Sequence, residues 1–180
     1  MDTKLTGKTR IESDLIGARE IPAEALYGVQ TLRGIENFSI SKFRLSEYPL
    51  FIKGLAITKM AAAMANFELG LLTVEQKDAI IAACGEILDG KHHDQFPVDM
   101  IQGGAGTTTN MNANEVIANR ALELMGHERG EYQYCSPNDH VNCSQSTNDA
   151  YPTAIHIGMY FKHLQLLPHL EELIASFRKK

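Results

Sequence analysis

Residues 149–180 carry apolar side chains at helical spacing and predict one long helix, with Pro152 near its start. The stripe consists of Ile157, Phe161, Leu164, Leu166, Leu170, Leu173, Ile174 and Phe177. At about 1.5 Å per residue, the part after Pro152 would span roughly 43 Å, and we expect Pro168 to kink it. A broadly apolar helix of this size needs partners. We therefore expect other chains or further sequence to cover it.

The remaining pattern is also mainly helical. Residues 9–21 are mixed polar and β-branched and favour short extended pieces and turns. A short helix is predicted within residues 22–38 and longer helices for residues 49–69, 73–88 and about 110–125, with loops at residues 91–98 and 127–145. Thr73 and Gln76 have the spacing of a capping box, and Gly70 suits a helix stop. The short Leu71-Leu72 connection predicts that the second and third helices form a hairpin.

Composition excludes some classes of function. The 180 residues have a formal net charge of -5, and the short basic end at Arg178 does not suggest nucleic-acid binding. The polar N-terminus shows no signal peptide, and we expect no apolar run to be long enough to cross a membrane, so we expect a cytoplasmic protein. Cys84, Cys135 and Cys143 are expected to be free thiols. Zinc binding by Cys135 and Cys143, with His127 or His140, is the alternative, but the spacing matches no usual zinc pattern.

The first loop with chemical potential is residues 102–112, QGGAGTTTNMN. Three glycines permit close backbone approach to a ligand, and hydroxyl and carboxamide side chains follow where a helix begins. A helix N-terminus offers unpaired N–H donors and partial positive charge, which suit a carboxylate. The alternative is that Thr107, Thr108 or Asn110 only caps the helix.

The second such loop is residues 144–149, SQSTND, again just before a helix. Its side chains are mostly neutral donors, and Asp149 is a candidate N-cap, so helix capping is again the alternative. Together the two loops could hold a dicarboxylate through neutral donors and helix termini, without a metal or a flavin. The adjacent His92 and His93 also invite a metal interpretation, but on a polar loop we expect them to face solvent.

Several ordered motifs resemble the aspartase/fumarase superfamily. The sequence GGAGT at residues 103–107, followed by NMNANEV at 110–116, resembles its first signature, and SQSTNDAYPT at 144–153 resembles its second. Residues 10–17, 27–33, 94–99 and 130–134 also fit, so the resemblance covers nearly the whole chain. Thr147 and Ser136, where fumarases usually have serine and histidine, and Tyr151 make the chain more similar to the aspartase branch.

The resemblance implies a lyase that removes ammonia from L-aspartate reversibly, leaving fumarate, without a cofactor or metal. It implies a small, mostly helical N-terminal domain at residues 1–142. Residues 143–180 would begin the first long helix of a central helical bundle, which family members build as homotetramers. The rest of the bundle, the C-terminal domain and the serine base are expected downstream, so no catalytic base is expected within this chain.

Individual roles follow from the same resemblance. Thr107, Ser146 and Thr147 would grip the β-carboxylate, and Asn148 would bind the amino group. Arg33 is a further candidate for carboxylate contact, with a structural ion pair as the alternative. Asn138 and His140 lie where relatives place a secondary anion site, but we expect no functional site there. Three histidines of the long helix are expected at a surface or an interface; they are His156, His163 and His169.

The competing hypotheses belong to other classes. The chain alone could be an inactive N-terminal domain that associates through its apolar helix. It could also be a fumarase-type hydratase or a stand-alone anion-binding module. Turnover of L-aspartate by the chain would discriminate the first of these from a complete enzyme.

Overall fold

The computed structural model describes residues 7–179. Residues 1–6 and Lys180 lie outside the described part. The prediction that the polar N-terminus is no signal peptide rests on the former, and the prediction for the basic end rests partly on the latter. Two strands and five long helices follow one another in it: β1 (Thr9–Asp14), β2 (Gly17–Pro22), α1 (Val29–Asn37), α2 (Pro49–Glu68), α3 (Val74–Leu88), α4 (Thr107–Leu124) and α5 (Thr147–Arg178). The mainly α fold class predicted from the sequence is thereby confirmed.

Strands β1 and β2 form a small antiparallel hairpin, which confirms the extended pieces predicted for residues 9–21. Asp14 makes the turn, because its carboxylate accepts hydrogen bonds from the backbone N–H groups of Ile16 and Gly17, at 2.9 and 3.1 Å. Gly17 has φ +134°, a backbone conformation that glycine adopts readily. The hairpin lies at the start of α1 and places Asp14 and Glu12 beside it.

Helices α2 and α3 form the predicted helical hairpin. Thr73 and Gln76 make both bonds of the capping box, at 3.2 and 3.1 Å. Gly70, at φ +74°, ends α2, and the backbone N–H of Leu71 bonds back to the carbonyl of Asn66. Ile52 of α2 and Ile80 of α3 are fully buried in the shared core. The capping signals in the sequence therefore located both helix ends.

Helix α4 runs through the centre of the chain, with buried residues on every face. It begins at Thr107, three residues before the predicted start at Asn110. The reason is that Gly106, at φ +88°, ends the preceding loop, and the Gln102 side chain accepts from the N–H of Thr109 at 2.9 Å. A glutamine five residues before Thr107 satisfies a free donor of the first turn, which the capping pattern did not reveal.

Two loop predictions need correction. Residues 127–145 are not all irregular, since Pro137–Val141 forms a single π-helical turn. The carbonyl of Ser136 accepts from two backbone N–H groups there, and its hydroxyl accepts from Asp139 N–H at 3.1 Å. His92 and His93 do not simply face solvent either. Both are half buried and hydrogen-bonded to Glu86 and to the carbonyl of Ile87, at 2.8 and 2.9 Å, where α3 ends.

Helix α5 is continuous from Thr147 to Arg178, with Pro152 and Pro168 inside it; a kink at Pro168 stays a prediction. Its first half packs tightly on α2, because Gly54 of α2 lies against the backbone of Ala154 and Gly158 lies against Leu50. Beyond this contact the apolar stripe is exposed. Its exposed members include Leu164, Leu166, Leu170, Leu173, Ile174 and Phe177. Nothing within residues 7–179 covers this face, and its coverage by other chains or by further sequence stays a prediction.

Helix α2 has the length and composition of a membrane span, with a mean hydropathy of 1.3 over its most apolar window, so the expectation that no run qualifies was wrong. The most apolar run recognised in the sequence, residues 54–64, is only part of this helix. By itself this similarity is weak evidence for a membrane, since core helices of soluble proteins have the same composition. Here Ile52, Leu55 and Ala63 are buried against the rest of the chain.

Candidate functional site

The N-terminal ends of α4 and α5 lie against each other, and this contact joins the two loops singled out in the sequence. The Tyr151 ring, in the first turns of α5, packs directly on the backbone of Gly106, so a Cβ atom at position 106 would overlap the ring. Asn110 of α4 donates a hydrogen bond to the Thr147 hydroxyl, at 3.1 Å from Nδ2 to Oγ1. Two helix N-termini therefore present their free N–H groups and partial positive charge in one region.

The α4 end of the site is not capped by its own threonines. The N-cap residue is Gly106, which has no side chain to offer, so the alternative that Thr107, Thr108 or Asn110 is the N-cap is wrong. Thr107 is exposed in the first turn. Gln102 makes two hydrogen bonds to Thr109. Its side-chain oxygen accepts from the Thr109 backbone N–H, and its amide nitrogen donates to the Thr109 hydroxyl at 2.6 Å. Thr107 is therefore available to a ligand.

At the α5 end, Ser146 is the N-cap, and Asp149 as N-cap was wrong. The Ser146 hydroxyl accepts from the backbone N–H of Asn148 at 3.0 Å. Asp149 lies in the first turn, where its charge complements the helix dipole. Ser144, with φ +56°, bends the chain just before the helix. Ser146 and Asn148 are exposed and Thr147 is half buried. All three predicted binding residues of this loop thus lie at one helix start.

Lys59 of α2 lies beneath this loop, and sequence reasoning missed it. The side chain is fully buried, and its Nζ donates to Asn142 Oδ1 at 2.8 Å and to Gln145 Oε1 at 3.0 Å. Burial lowers the pKa of Lys59 to about 7. A lysine in the apolar run of residues 54–64 was the signal, since a charged residue in a buried stripe needs a specific partner.

Arg33 makes the ion pair that the sequence left as the alternative to carboxylate binding. Its guanidinium meets the Asp14 carboxylate through two bonds of 2.8 Å and donates a third to the carbonyl of Gly17. These bonds hold the pKa of Asp14 at about 2. Contact between Arg33 and a bound carboxylate stays a prediction.

Glu115 is a second residue that sequence reasoning passed over. It is 2% exposed, and its carboxylate accepts from the backbone N–H groups of Gly28, Gln30 and Thr31 at 2.8, 2.8 and 3.0 Å. Burial raises the pKa of Glu115, while these bonds oppose that shift. The carboxylate thereby serves as the cap of α1 and ties it to α4. The motif around residues 110–116 is therefore partly structural.

The remaining candidates are not part of this cluster. His140 accepts from the Ser136 N–H at Nδ1, at 2.8 Å, and burial lowers the pKa of the imidazole. The histidines of α5 are exposed, as predicted; they are His156, His163 and His169. Cys84 and Cys135 are buried free thiols, and Cys143 is half buried and also free. Across residues 7–179 no three His, Cys, Asp or Glu side chains gather as a metal site requires.

Known proteins resemble this chain along nearly all of it. A family model described as lyase matches residues 17–180. An aspartate ammonia-lyase of Escherichia coli K12 is 55% identical over 177 residues, covering 98% of this chain and 37% of that protein. An aspartate ammonia-lyase of Helicobacter pylori J99 is 58% identical over 171 residues, covering 95% of this chain and 36% of that protein. The chain thus spans little more than a third of the length of these relatives.

Solved structures agree. A crystal structure titled fumarate lyase:delta crystallin, from Brucella melitensis, has a TM-score of 0.92 at 52% identity, covering 94% of this chain and 40% of that one. A class II fumarase from Schistosoma mansoni has a TM-score of 0.78 at 39% identity, covering 84% and 32%. The fold and the sequence therefore point to the same group of proteins.

Proposed function

The chain belongs to the lyase family whose model matches residues 17–180, and we propose that it is the N-terminal portion of an aspartate ammonia-lyase. Such an enzyme removes ammonia from L-aspartate reversibly to leave fumarate. The observation that carries the proposal is the meeting of the α4 and α5 N-termini. The Gly106–Tyr151 contact and the Asn110–Thr147 hydrogen bond bring the donors of both loops into one place.

The choice of ammonia-lyase over hydratase rests on the second loop and on the relatives. Thr147 and Ser136 stand where fumarases usually have serine and histidine. The relatives of 55–58% identity are named aspartate ammonia-lyases, whereas the class II fumarase structure is 39% identical. Ser136 occupies the position of the fumarase-type histidine. Its hydroxyl begins the π-helical turn by accepting a hydrogen bond from the Asp139 N–H. This use argues against an anion site at Asn138 and His140.

The reaction's main demand is stabilisation of negative charge. Removing a proton next to the β-carboxylate builds a second charge on that carboxylate, giving a dianionic aci-carboxylate. Preorganised hydrogen-bond donors stabilise such a species best when little reorganisation is needed. Thr107, Ser146 and Thr147, with the N–H groups of two helix starts, are donors of this kind. Asn148 would accept from the ammonium group of the substrate.

These residues supply binding and charge stabilisation but no base. The serine base is expected in sequence beyond residue 180, as are the remaining carboxylate contacts. We also propose that residues 1–142 form the N-terminal domain, that residues 143–180 begin the bundle domain, and that the whole protein is a cytoplasmic homotetramer.

The second candidate is that the chain alone is an inactive, self-associating domain. The exposed apolar face of α5 favours it, since Leu173 and Phe177 are 52% and 71% exposed. Contiguous apolar surface of this kind promotes association. In that case the chain would bind substrate weakly or not at all and would not turn over.

Fumarate formation from L-aspartate, followed by ultraviolet absorbance, tests both candidates. Two proteins are compared: the 180-residue chain, and a chimera in which this chain replaces the matching segment of the Escherichia coli enzyme. We expect an inactive chain and an active chimera. Turnover by the chain alone would show that the base lies within residues 1–180. A soluble, correctly assembled but inactive chimera would refute the proposed function.

Single substitutions in the chimera then test the roles. Losing one preorganised donor to an oxyanion typically lowers the rate by about 10²–10³. We expect losses of that order in kcat for Thr107→Ala and for Thr147→Ala. Thr153→Ala is the matched control, since Thr153 is exposed on the same helix as Thr147. A loss below about tenfold would remove the substituted residue from the proposed role.

A further inference from the structure

We propose that Asn110 is a positioning residue that fixes the Thr147 hydroxyl as a hydrogen-bond donor toward the substrate anion. The inference rests on the proposed function and adds a residue to it. Asn110 is fully buried in the first turns of α4. None of the site roles above includes it.

The argument begins with the atoms between the two helices. Asn110 Nδ2 lies 3.0 Å from Asn142 Oδ1 and 3.1 Å from Thr147 Oγ1. An amide nitrogen carries two hydrogens, so it can donate to both oxygens. A threonine hydroxyl has one hydrogen and two lone pairs. Because Thr147 accepts from Asn110, its own hydrogen stays free to point at an anion.

This arrangement holds only if Asn110 presents its nitrogen to the site, and Asn142 ensures that it does. The Asn142 nitrogen is used elsewhere, since Nδ2 donates to the carbonyl of Gln145 at 3.0 Å. Its Oδ1 accepts from the buried Lys59 Nζ at 2.8 Å, because the lysine nitrogen carries at least two hydrogens in either protonation state and Asn142 Oδ1 carries none. Asn142 therefore turns its oxygen toward Asn110. An opposing oxygen on Asn110 would leave two acceptors face to face.

The direction of each hydrogen bond in this series is thus set by the residue nearer the core. Lys59 fixes Asn142, Asn142 fixes Asn110, and Asn110 fixes Thr147. Gln145 strengthens this order, because its oxygen also accepts from Lys59 at 3.0 Å while its nitrogen donates to Val141 and Cys143 carbonyls at 2.9 and 3.1 Å. A hydroxyl oriented before the reaction needs no reorientation as charge develops on the carboxylate.

The chain contains a matched control on the same helix. Asn114 is also fully buried on α4, four positions further on, and its Nδ2 bonds to the sulfur of Met111 at 3.4 Å. Asn114→Ala removes the same amide from the same core without touching Thr147. A merely structural effect of losing a buried amide would appear in both variants.

The test is a double-mutant cycle on kcat in the chimera described above, with Asn110→Ala, Thr147→Val and the double variant. We expect Asn110→Ala to lower kcat at least about tenfold and Asn114→Ala to change it less than about threefold. In the Thr147→Val background, Asn110→Ala should cause less than about twofold further loss, because its effect passes through the Thr147 hydroxyl. Fully additive losses would overturn the proposal.

A second variant covers failure of the alanine variant to fold. Asn110→Asp has nearly the same shape but presents only acceptor oxygens, which would take the Thr147 hydrogen. The added charge of Asn110→Asp affects kcat equally whether position 147 is Thr or Val. The loss of kcat with Thr147, divided by the loss in the Thr147→Val background, therefore measures the positioning effect. An excess of about fivefold or more supports the proposal, and a smaller one refutes it.

The same cycle on unfolding of the 180-residue chain decides the case if the unsubstituted chimera is inactive. That inactivity would count against the proposed function alone. The Asn110–Thr147 bond should still couple the two positions at least about twofold in the folding equilibrium constant, whereas Asn114 and Thr147 should not couple. Absence of coupling between Asn110 and Thr147 would overturn the inference independently of any activity.

Discussion

Gly106→Ala should destabilise the chain more than any other glycine-to-alanine change in the first loop, because two separate effects add at this position. Gly106 has φ +88°, and an L-residue in the left-handed region costs about 1–2 kcal/mol. A Cβ atom here would also overlap the Tyr151 ring, and overpacking in a well-packed region costs typically about 1–3 kcal/mol. The expected loss of unfolding free energy is therefore about 2–5 kcal/mol.

Gly104→Ala separates the two effects. Gly104 has φ +71°, so the backbone strain is similar, but its Cβ would meet only the Thr107 hydroxyl oxygen, at 3.6 Å. That distance is an ordinary van der Waals contact. We expect this variant to lose only the strain, about 1–2 kcal/mol. The difference between the two variants measures how closely the α4 and α5 starts are pressed together.

The assay is urea unfolding of the 180-residue chain, followed by circular dichroism, for the unsubstituted chain and both variants. Equal losses for Gly104→Ala and Gly106→Ala would refute the close contact between Gly106 and Tyr151. In the chimera, Gly106→Ala should also lower kcat, because relief of the overlap must move Thr107 away from Thr147. A strongly destabilised variant with unchanged kcat would show that the spacing of the two loops is not critical.

Three further predictions concern charged groups. Burial lowers the pKa of Lys59 from 10.5 to about 7. Between these two values the unfolded chain binds more protons than the folded chain, so the contribution of Lys59 to stability rises with pH. In urea unfolding, the unfolding free energy of the unsubstituted chain minus that of Lys59→Met should therefore increase from about pH 6 to about pH 9. Hydrogen bonds from Arg33 lower the pKa of Asp14 from 3.8 to about 2, so its stabilisation is complete above the ordinary pKa and is lost as the pH falls through 2. Asp14→Asn should accordingly destabilise the chain near pH 6 and have little effect near pH 1, and an effect of equal size at both would exclude the ion pair as its cause. Glu115→Gln should lower the unfolding free energy by about 1–3 kcal/mol, since an amide NH₂ would face a buried N–H donor at the start of α1, whereas the exposed Glu75→Gln should change it by less than about 0.5 kcal/mol.

The sequence predicted every long helix, because each carries local signals that act within a few residues. The capping box at Thr73, the glycine stop at Gly70 and the apolar spacing of α5 are such signals. The start of α4 was predicted three residues late, because Gln102 bonds to Thr109 across a loop whose conformation depends on left-handed glycines. Asp149 was the wrong N-cap candidate, because Ser146 and Asp149 both suit that position and the local sequence does not distinguish them.

The candidate binding residues were found from the sequence, but the residues that hold them in place were not. Thr107, Ser146 and Thr147 stood out as hydroxyls at helix starts. Lys59 and Glu115 looked like ordinary polar residues in helices. Their importance comes from partners 83 and 85 positions away in sequence, Asn142 and Gln30. No local pattern reports such a distance.

The sequence by itself therefore determined the helices, the two donor-rich loops and the apolar face of α5, because periodicity, capping and glycine content act locally. Only the tertiary structure decided that the two loops meet, because that depends on Tyr151 reaching the backbone of Gly106 and on Gly54 admitting Ala154. It also decided which way the hydrogen bonds run. Asn110 could present either end of its amide until Asn142, fixed by the buried Lys59 nitrogen, selected the nitrogen.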